Sequence, residues 1–481
     1  MRRITTITLA WVCAAVALHA QYEANAFRFS RQNSFGTARF AAQGGAIGAL
    51  GGDFSAISVN PAGVAVYRAS EFSISPSFYW VNTASEYNGL SSKDSKFRLN
   101  VGSLGFVSTA QRRTGRVGFS YGIGYSTLAN FSNRTTTRSE AMNSSLLDDF
   151  TPGIASDPMD LDPFYEQVAW DAGLIGQDGT GSYTNDFKNG GYRQKMDRVT
   201  EQSGYLGEYS MTGALNINDL IYIGATAAIH SVSFYEDIYH TESDPAQRID
   251  TLSSFRFTES STTRGWGYTF RFGMILRPVK ILRLGASFQT PVWYQLSEEK
   301  LTDMESYFDE ESGLQDSYGY SPIGTWDYRL NSPLRVRAQA SVILFKMATF
   351  SVDYEYADYS MAHLHAIEEA FIQENAWIDR ELGVAHNLRA GAEVRLLKML
   401  YFRGGVQYLM SPFNDTRNHS DEWIYSGGMG IRTRKVFFDA SYSFGKLDEA
   451  ISMYYNASGD PEIATNSASG SNLMFTVGLR F

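Results

Sequence analysis

GRVGFSYGIGYS, residues 115–126, decides how this chain is read. Val117, Phe119, Tyr121, Ile123 and Tyr125 fall on one side of a period-two alternation, and Gly118, Ser120, Gly122, Gly124 and Ser126 fall on the other. Successive side chains of a strand point to opposite faces, so this is a strand with one aromatic face and one face of almost no bulk. A soluble sandwich would bury the apolar face against a second sheet and put solvating charge on the outer one. Here the second face is small and uncharged, which predicts that something inside packs against it.

The same order recurs along the chain. In GWGYTFRFGMIL (265–276), Trp266, Tyr268, Phe270, Phe272, Met274 and Leu276 alternate with Gly265, Gly267, Thr269, Arg271, Gly273 and Ile275. In HNLRAGAEVRLL (386–397), Leu388, Ala390, Ala392, Val394 and Leu396 stand opposite Asn387, Arg389, Gly391, Glu393 and Arg395. An unbroken apolar face opposite a charged one suits a wall with lipid outside and a polar lumen inside. The pattern predicts an all-β fold, a fourteen-stranded antiparallel transmembrane β-barrel. Its strands are expected near residues 71–83, 96–109, 115–129, 203–217, 220–235, 252–277, 282–295, 328–345, 348–361, 386–397, 399–411, 423–434, 435–446 and 472–481. Connectors are very short at Asn218-Asp219, Arg277 to Ile281, Lys398 and Arg434-Lys435, but long and polar over 130–202, 236–251, 296–327, 362–385 and 447–471. Short periplasmic turns and long extracellular loops give that asymmetry. Met361 to Glu381 reads as partly helical.

MRRITTITLAWVCAAVALHA (1–20) sets Arg2 and Arg3 before an apolar run from Ile4 to Leu18 and closes on Ala20, the pattern of a secretory signal peptide. The run is too short for a spanning helix, which needs about 20 apolar residues. Cys13, the single cysteine, lies inside it, so a mature chain is expected to carry no disulfide and no thiolate metal site. Losing Arg2 and Arg3 takes 41 basic residues to 39 against 51 acidic ones, a net charge of -12, which argues against a nucleic-acid partner.

GGAIGALGGDFSAISVNPAG, Gly44 to Gly63, is the stretch that invites another reading. Its glycines at 44, 45, 48, 51, 52 and 63 contain no Gly-x-Gly element, and it has no lysine, so neither a dinucleotide fingerprint nor a Walker loop is present. Ala46, Ile47, Leu50, Phe54, Ile57 and Val59 carry too much apolar surface for a disordered linker.

With its flanks, AAQGGAIGALGGDFSAISVNPAGVAVY (41–67) resembles the N-terminal region of the FadL/TodX outer-membrane transporters of hydrophobic compounds, particularly their Bacteroidetes branch. The residues that carry the resemblance are Gly44, Gly45, Gly51, Asp53, Asn60, Pro61, Ala62 and Gly63. FSVDYEYADYS (350–360), NLRAGAEVR (387–395) and LYFRGGVQYLMSPF (400–413) resemble later strands of that branch. The terminal LMFTVGLRF, ending in Phe481, resembles the signal by which the barrel assembly machinery recognises its clients.

The resemblance implies a signal peptide over 1–20, a hatch over 21–69 folded inside the lumen, and a barrel over 70–481 in the outer membrane of a Gram-negative bacterium. Asn60-Pro61-Ala62 would be the hatch signature. It also implies passive transport: a long-chain fatty acid or other hydrophobic molecule is captured outside, moves to an inner pocket and leaves through a gap in the wall as the hatch shifts. A related branch, PorV, implies an alternative, an interaction barrel serving type IX protein secretion. The small faces of Gly118, Gly122 and Gly124 leave room for an internal segment and for a bend, so a lateral opening is expected near the third strand.

Inward alternation places Arg335, Arg337, Asp353, Glu355, Arg389, Glu393 and Arg403 in one cross-strand charge ladder in the lumen. Its arginines would pair with neighbours and hatch groups, or hold a ligand carboxylate or heme propionate. His230 falls on an inner face, and His363 and His365 fall in a loop. No GxSxG is present, and no catalytic, metal or cofactor site is expected. The expected partners are a hydrophobic small molecule, outer-membrane lipid and, during biogenesis, the assembly machinery. The loop aromatics Phe164, Tyr165 and Trp170 are expected to line an outer groove.

Overall fold

Alternation of lipid-facing and lumen-facing residues has its counterpart in one continuous antiparallel sheet. A computed structural model describes residues 20–481 except 34, 111–116, 152–160, 180, 250, 346, 367–370, 398 and 416–419. The expected signal segment, through residue 19, lies outside the described residues. The wall consists of β1 (Glu71–Tyr87), β2 (Leu90–Ala110), β3 (Val117–Asn130, resumed at Asn133–Ser139), β4 (Lys195–Ile217), β5 (Ile221–Ser243), β6 (Leu252–Val279) and β7 (Leu282–Gln289, resumed at Trp293–Phe308). It continues through β8 (Gly324–Asn331, resumed at Arg335–Leu344), β9 (Ala348–Asp358), β10 (Val384–Leu396), β11 (Leu400–Leu409), β12 (Glu422–Arg432), β13 (Val436–Tyr455) and β14 (Pro461–Arg480). Each strand pairs with its sequence neighbour, and β14 returns to β1, with Val477 opposite Ile74. Ser70 and Phe481 exchange backbone hydrogen bonds at the seam. The fold is therefore a closed fourteen-stranded barrel.

The outer face is apolar where lipid must be met. Phe72 and Ile74 on β1, Phe97 and Leu99 on β2, Phe270 and Phe272 on β6, and Phe350 and Val352 on β9 are all exposed. Among the described residues no helix is long and apolar enough to cross a membrane.

Several strands run further on the loop side than the alternation predicts. Residues 195–202, 236–243, 296–308, 447–455 and 461–471 are strand rather than loop, and Asn88-Gly89 closes a tight hairpin between β1 and β2. Once a strand clears the lipid both faces can be polar, as with Asp237, Asp303 and Glu305, so the hydrophobic signal stops while backbone pairing continues. β6 alone spans 28 residues, where about 9–11 cross the hydrocarbon. β7 and β8 are interrupted at Pro291 and Pro333, which cannot donate to a ladder. The two interruptions satisfy each other: Ser332 N–H donates to Val292 O at 3.0 Å, and Val292 N–H donates to Ser332 Oγ at 2.9 Å. The helical part of the 361–381 connector is Ile372–Glu381.

Residues 24–67 turn along the inner faces of these strands. α1 (Ala20–Ser30) is followed by α2 (Ala38–Ala42), a short helical turn at Ala56–Val59 and a 3₁₀ turn at Pro61–Val66. Gly44 and Gly405 let inner segment and wall touch backbone to backbone. A Cβ on Gly405 would stand 2.2 Å from the Gly44 nitrogen, where no atom can move aside. Gly404, on the opposite face, has nothing closer than 4.0 Å. Gly405→Ala is expected to cost about 1–3 kcal/mol of stability through overpacking, and Gly404→Ala less than about 0.5 kcal/mol. Denaturant unfolding of the two variants in detergent checks the contrast.

Candidate functional site

The inner segment is fixed to the wall by polar bonds that its own turns set up. Asp53 accepts from Thr37 Oγ1 at 2.8 Å and from Ser55 N–H at 3.0 Å, closing the loop that carries the glycines. Asn60 Oδ1 accepts from Ala62 N–H at 3.1 Å and so caps the 3₁₀ turn that Pro61 begins. Pro at the first turn position has its φ preset and no N–H to leave unpaired. The Asn60 amide also donates to Gln339 Oε1 on β8 at 2.7 Å. Gly273 on β6 is the seat for this corner, since a Cβ there would lie 2.0 Å from Asn60 Oδ1 and 2.9 Å from Pro61 Cδ. Gly63 packs on Gly51, and Gly45 packs against Arg389. The motif residues are thus spread along the inner segment: Gly44 and Gly45 lie against β10 and β11, Asn60 and Pro61 lie against β6 and β8, and Asp53 and Gly63 tie the segment to itself.

The seven charged residues expected on one ladder lie on adjacent inner faces of β8 to β11, all buried. Glu355 is their hub: Arg335 Nη1 donates to it at 3.1 Å, Arg337 pairs with its other oxygen, and Arg389 stands 3.6 Å away. Asp353 instead accepts from Gly48 N–H at 2.9 Å. Glu393 takes Arg403 at 2.6 Å and, from α2, Arg39 at 3.0 Å. Arg403 reaches on to Asp439 at 2.7 Å. Arg39 and Asp439 are members the sequence reading missed. A second buried group joins Glu208 to Arg271 and to His230, which also bonds the Tyr294 hydroxyl at 2.8 Å. Arg271 on the inner face of 265–276 was the available signal for that group.

Gly122 and Gly124 sit where β3 is paired on both sides, opposite Val107 and Gly105 on β2, and Gly118 sits opposite Asn216 on β4. Ile57 stands against Gly122 and Phe54 against Gly124, with would-be Cβ distances of 2.9 and 2.5 Å. The β2–β3 ladder ends above them, at Ser103 opposite Ser126. Beyond that point β3 bends under β1, where Thr83 Oγ1 donates to Arg134 O and Ser85 bonds Thr137. An open cleft of about 460 Å³ lined by Lys93, Asp94, Ser95 and Arg134 lies in the space this leaves. Inside, Asn33 and Phe35 N–H groups donate to Leu128 and Thr127 carbonyls at 2.9 and 3.0 Å. A cavity of about 20 Å³ between Gln32, Leu128, Arg337 and Arg389 links this edge to the charge cluster.

Solved structures share this fourteen-stranded barrel at the level of fold. A Pseudomonas aeruginosa FadL homologue superposes over 93% of this chain and 98% of its own, with a TM-score of 0.54 at 12% identity. The Ralstonia pickettii toluene transporter TbuX covers 93% of this chain and 99% of its own, with a TM-score of 0.51 at 15% identity. The Pseudomonas putida toluene transporter TodX covers 92% and 98%, with a TM-score of 0.51 at 12% identity. The chain has the FadL/TodX barrel fold. No protein-family model and no curated protein sequence matches it.

On this FadL-like barrel the upper strands carry a cap with its own core. Phe164 is buried against Trp326, Tyr165 packs on Phe150 and Trp170 on Tyr183. These aromatics therefore fill the cap rather than line an open groove. Glu242, buried at the top of β5, holds the helix Leu146–Asp149 by accepting from Ser145 Oγ and Leu146 N–H, both at 2.8 Å, and takes His240 at 2.9 Å. Ser145 bonds the carboxylate and not the imidazole, so this is an anchor and not a nucleophile–base pair. His363 and His365 stack edge to face on an exposed strand, and among the described residues no group of three metal-ligating side chains occurs.

Removing the hub of the charge cluster leaves three guanidinium groups in the interior. Glu355→Gln is expected to cost about 3–5 kcal/mol, measured by unfolding in detergent. In the cap, burial raises the Asp149 carboxyl to about 6, offset in part by the Tyr455 N–H. The folded state then holds this proton more tightly than the unfolded chain, so its contribution to stability is lost as pH rises from about 4 through about 6. Asp149→Asn is expected to raise the melting temperature at neutral pH and leave it unchanged at pH 4, checked by parallel thermal scans.

Proposed function

We propose that this chain passively carries hydrophobic small molecules, long-chain fatty acids among them, across the outer membrane of a Gram-negative bacterium. The observation that carries the reading is the open edge between β2 and β3. Phe97, Leu99 and Val101, all lipid-facing, border the part of β2 that has no ladder to β3. At that depth an unpaired backbone edge is costly, so a break there supports a route into the membrane. The fold shared with proteins described as toluene transporters supports the same class of cargo.

Residues 24–67 act in this reading as a hatch. The space beside Leu128, about 20 Å³, has room for about one water molecule, so a ligand passes only if the segment around Gln32 and Asn33 gives way. Its hold on Leu128 and Thr127 is two backbone hydrogen bonds; beside them Arg31 pairs with Glu422 and Gln289 donates to Gln32, while Arg39 is fixed deeper in the barrel by Glu393. Arg389, on the cavity wall, suits a ligand with a carboxylate end.

Asn33 N–H donates to Leu128 O at 2.9 Å, and Cys13 is the chain's only cysteine, so a cysteine pair at 33 and 128 is placed to lock the moving segment to β3. The oxidised Asn33→Cys/Leu128→Cys barrel in liposomes is expected to lose uptake of a labelled fatty acid, and reduction is expected to restore it. Uptake unchanged by the lock would sink the moving-hatch route. Capture of secreted proteins with no uptake by the wild type would point to the interaction-barrel alternative.

A further inference from the structure

The turn end of the barrel combines two features that a water-facing rim avoids. Phe345 and Leu397, at the tips of the β8–β9 and β10–β11 hairpins, are 90% and 85% exposed. Both hold positive φ, 50° and 48°, a conformation that a bulky side chain adopts at a cost Asn or Gly would largely escape. The β4–β5 hairpin uses Asn218 and Asp219 for the same geometry. Met347 and Met399 are exposed beside the two tips. On either side of this apolar pair the rim is cationic: Lys280 is exposed in the β6–β7 turn, and Arg434 and Lys435 in the β12–β13 turn. Asp219 is the one acid in the six short connectors, and Arg68 already pairs with it at 2.8 Å.

These turns form one arc rather than separate tips. Ile343 N–H donates to Ile281 O, Arg395 N–H to Met347 O, Arg432 N–H to Met399 O and Arg480 N–H to Lys435 O, so each turn is stitched to the next strand. The arc also lies at the edge of the hydrocarbon. On β8 the outward side chains change from Thr325, Asp327 and Arg329 to Val336, Ala338, Ala340, Val342 and Leu344. On β10 they change from His386 to the unbroken run Leu388 to Leu396. About 9–11 residues cross the hydrocarbon, so in both strands it ends at the hairpin tips. The apolar tips continue the lipid-facing belt, with no polar collar between them and it.

We propose that this arc is a binding surface for anionic phospholipid headgroups of the leaflet at the turn end. Phe345, Met347, Leu397 and Met399 seat in the acyl boundary, while Lys280, Arg434 and Lys435 hold headgroup phosphates. Charge complementarity selects an anionic lipid, and continuity with the belt selects a lipid over a soluble acidic protein. The surface is independent of the transport reading, because it lies on the outside of the rim.

Native mass spectrometry of the full folded chain, incubated with equal amounts of phosphatidylglycerol and phosphatidylcholine of the same acyl chains, tests this. The wild type is expected to retain phosphatidylglycerol about tenfold over phosphatidylcholine, since basic residues near the surface attract anionic headgroups and screening limits the gain. Lys280→Gln/Arg434→Gln/Lys435→Gln is expected to bring the ratio near unity. Phe345→Ser/Leu397→Ser is expected to lower retention of both lipids and keep the ratio. Rising salt should erode the wild-type ratio with no variant needed. A wild-type ratio near unity overturns the proposal, including the case where an acidic protein is retained instead, and so does a ratio untouched by the triple substitution.

Discussion

Hydrocarbon offers no partner to a backbone N–H or C=O, and the rest of this structure depends on that constraint. A sheet can satisfy itself there only by closing, and closure at fourteen strands leaves a lumen too wide for wall side chains alone to fill. The chain fills it with its own N-terminal residues. That choice transfers the packing problem to the inner face of the wall, where Gly273, Gly405 and Gly124 give up their side chains so that Asn60, Gly44 and Phe54 can approach. Gly122 and Gly124 of GRVGFSYGIGYS admit Ile57 and Phe54 of the inner segment, while Gly44, Gly45 and Gly48 of that segment let its backbone approach Val406, Arg389 and Gln339 on other strands.

Filling the lumen with protein also removes the water that would otherwise solvate its charges. Arg335, Arg337, Glu355, Arg389, Glu393 and Arg403 are buried as a result, and they persist only because each carboxylate collects more than one cation. Desolvation makes such a cluster weak evidence for stability and strong evidence for register, since a shift of either partner leaves an unpaired charge. Arg39 on the inner segment bonding Glu393 on the wall is the case in point, because it ties the depth of the segment to one rung of β10.

The sequence made the wall legible within the bilayer and much less so above it. Leu388 to Leu396 alternate because lipid and lumen impose opposite demands on the two faces, and the same parity places Arg389 and Glu393 inside. Above the lipid that contrast disappears, which is why Glu236–Ser243 reads as loop and pairs as strand. Likewise Arg39 and Asp439 carry no local mark of their partners, since Glu393 lies 354 residues from Arg39 and Arg403 lies 36 from Asp439, and only the fold brings each pair together. The motif around Asn60 stood out only through the family resemblance, and its seat on Gly273 depends on a register no single stretch contains.

The bend in β3 is where the founding constraint is relaxed. Below Ser126 the strand obeys closure, and above it the strand leaves β2 and turns inward. An edge exposed at that depth has to be offset, and the offset is visible: Thr127 Oγ1 donates to Val101 O across the break at 2.7 Å, and Asn33 and Phe35 take the Leu128 and Thr127 carbonyls from inside. These are few bonds, each worth about 0.5–1.5 kcal/mol net, against the long ladders on every other seam. The inner segment and the break therefore belong to one arrangement. The segment completes the bonding of an edge that the wall leaves unpaired, so neither the segment nor the edge is satisfied without the other.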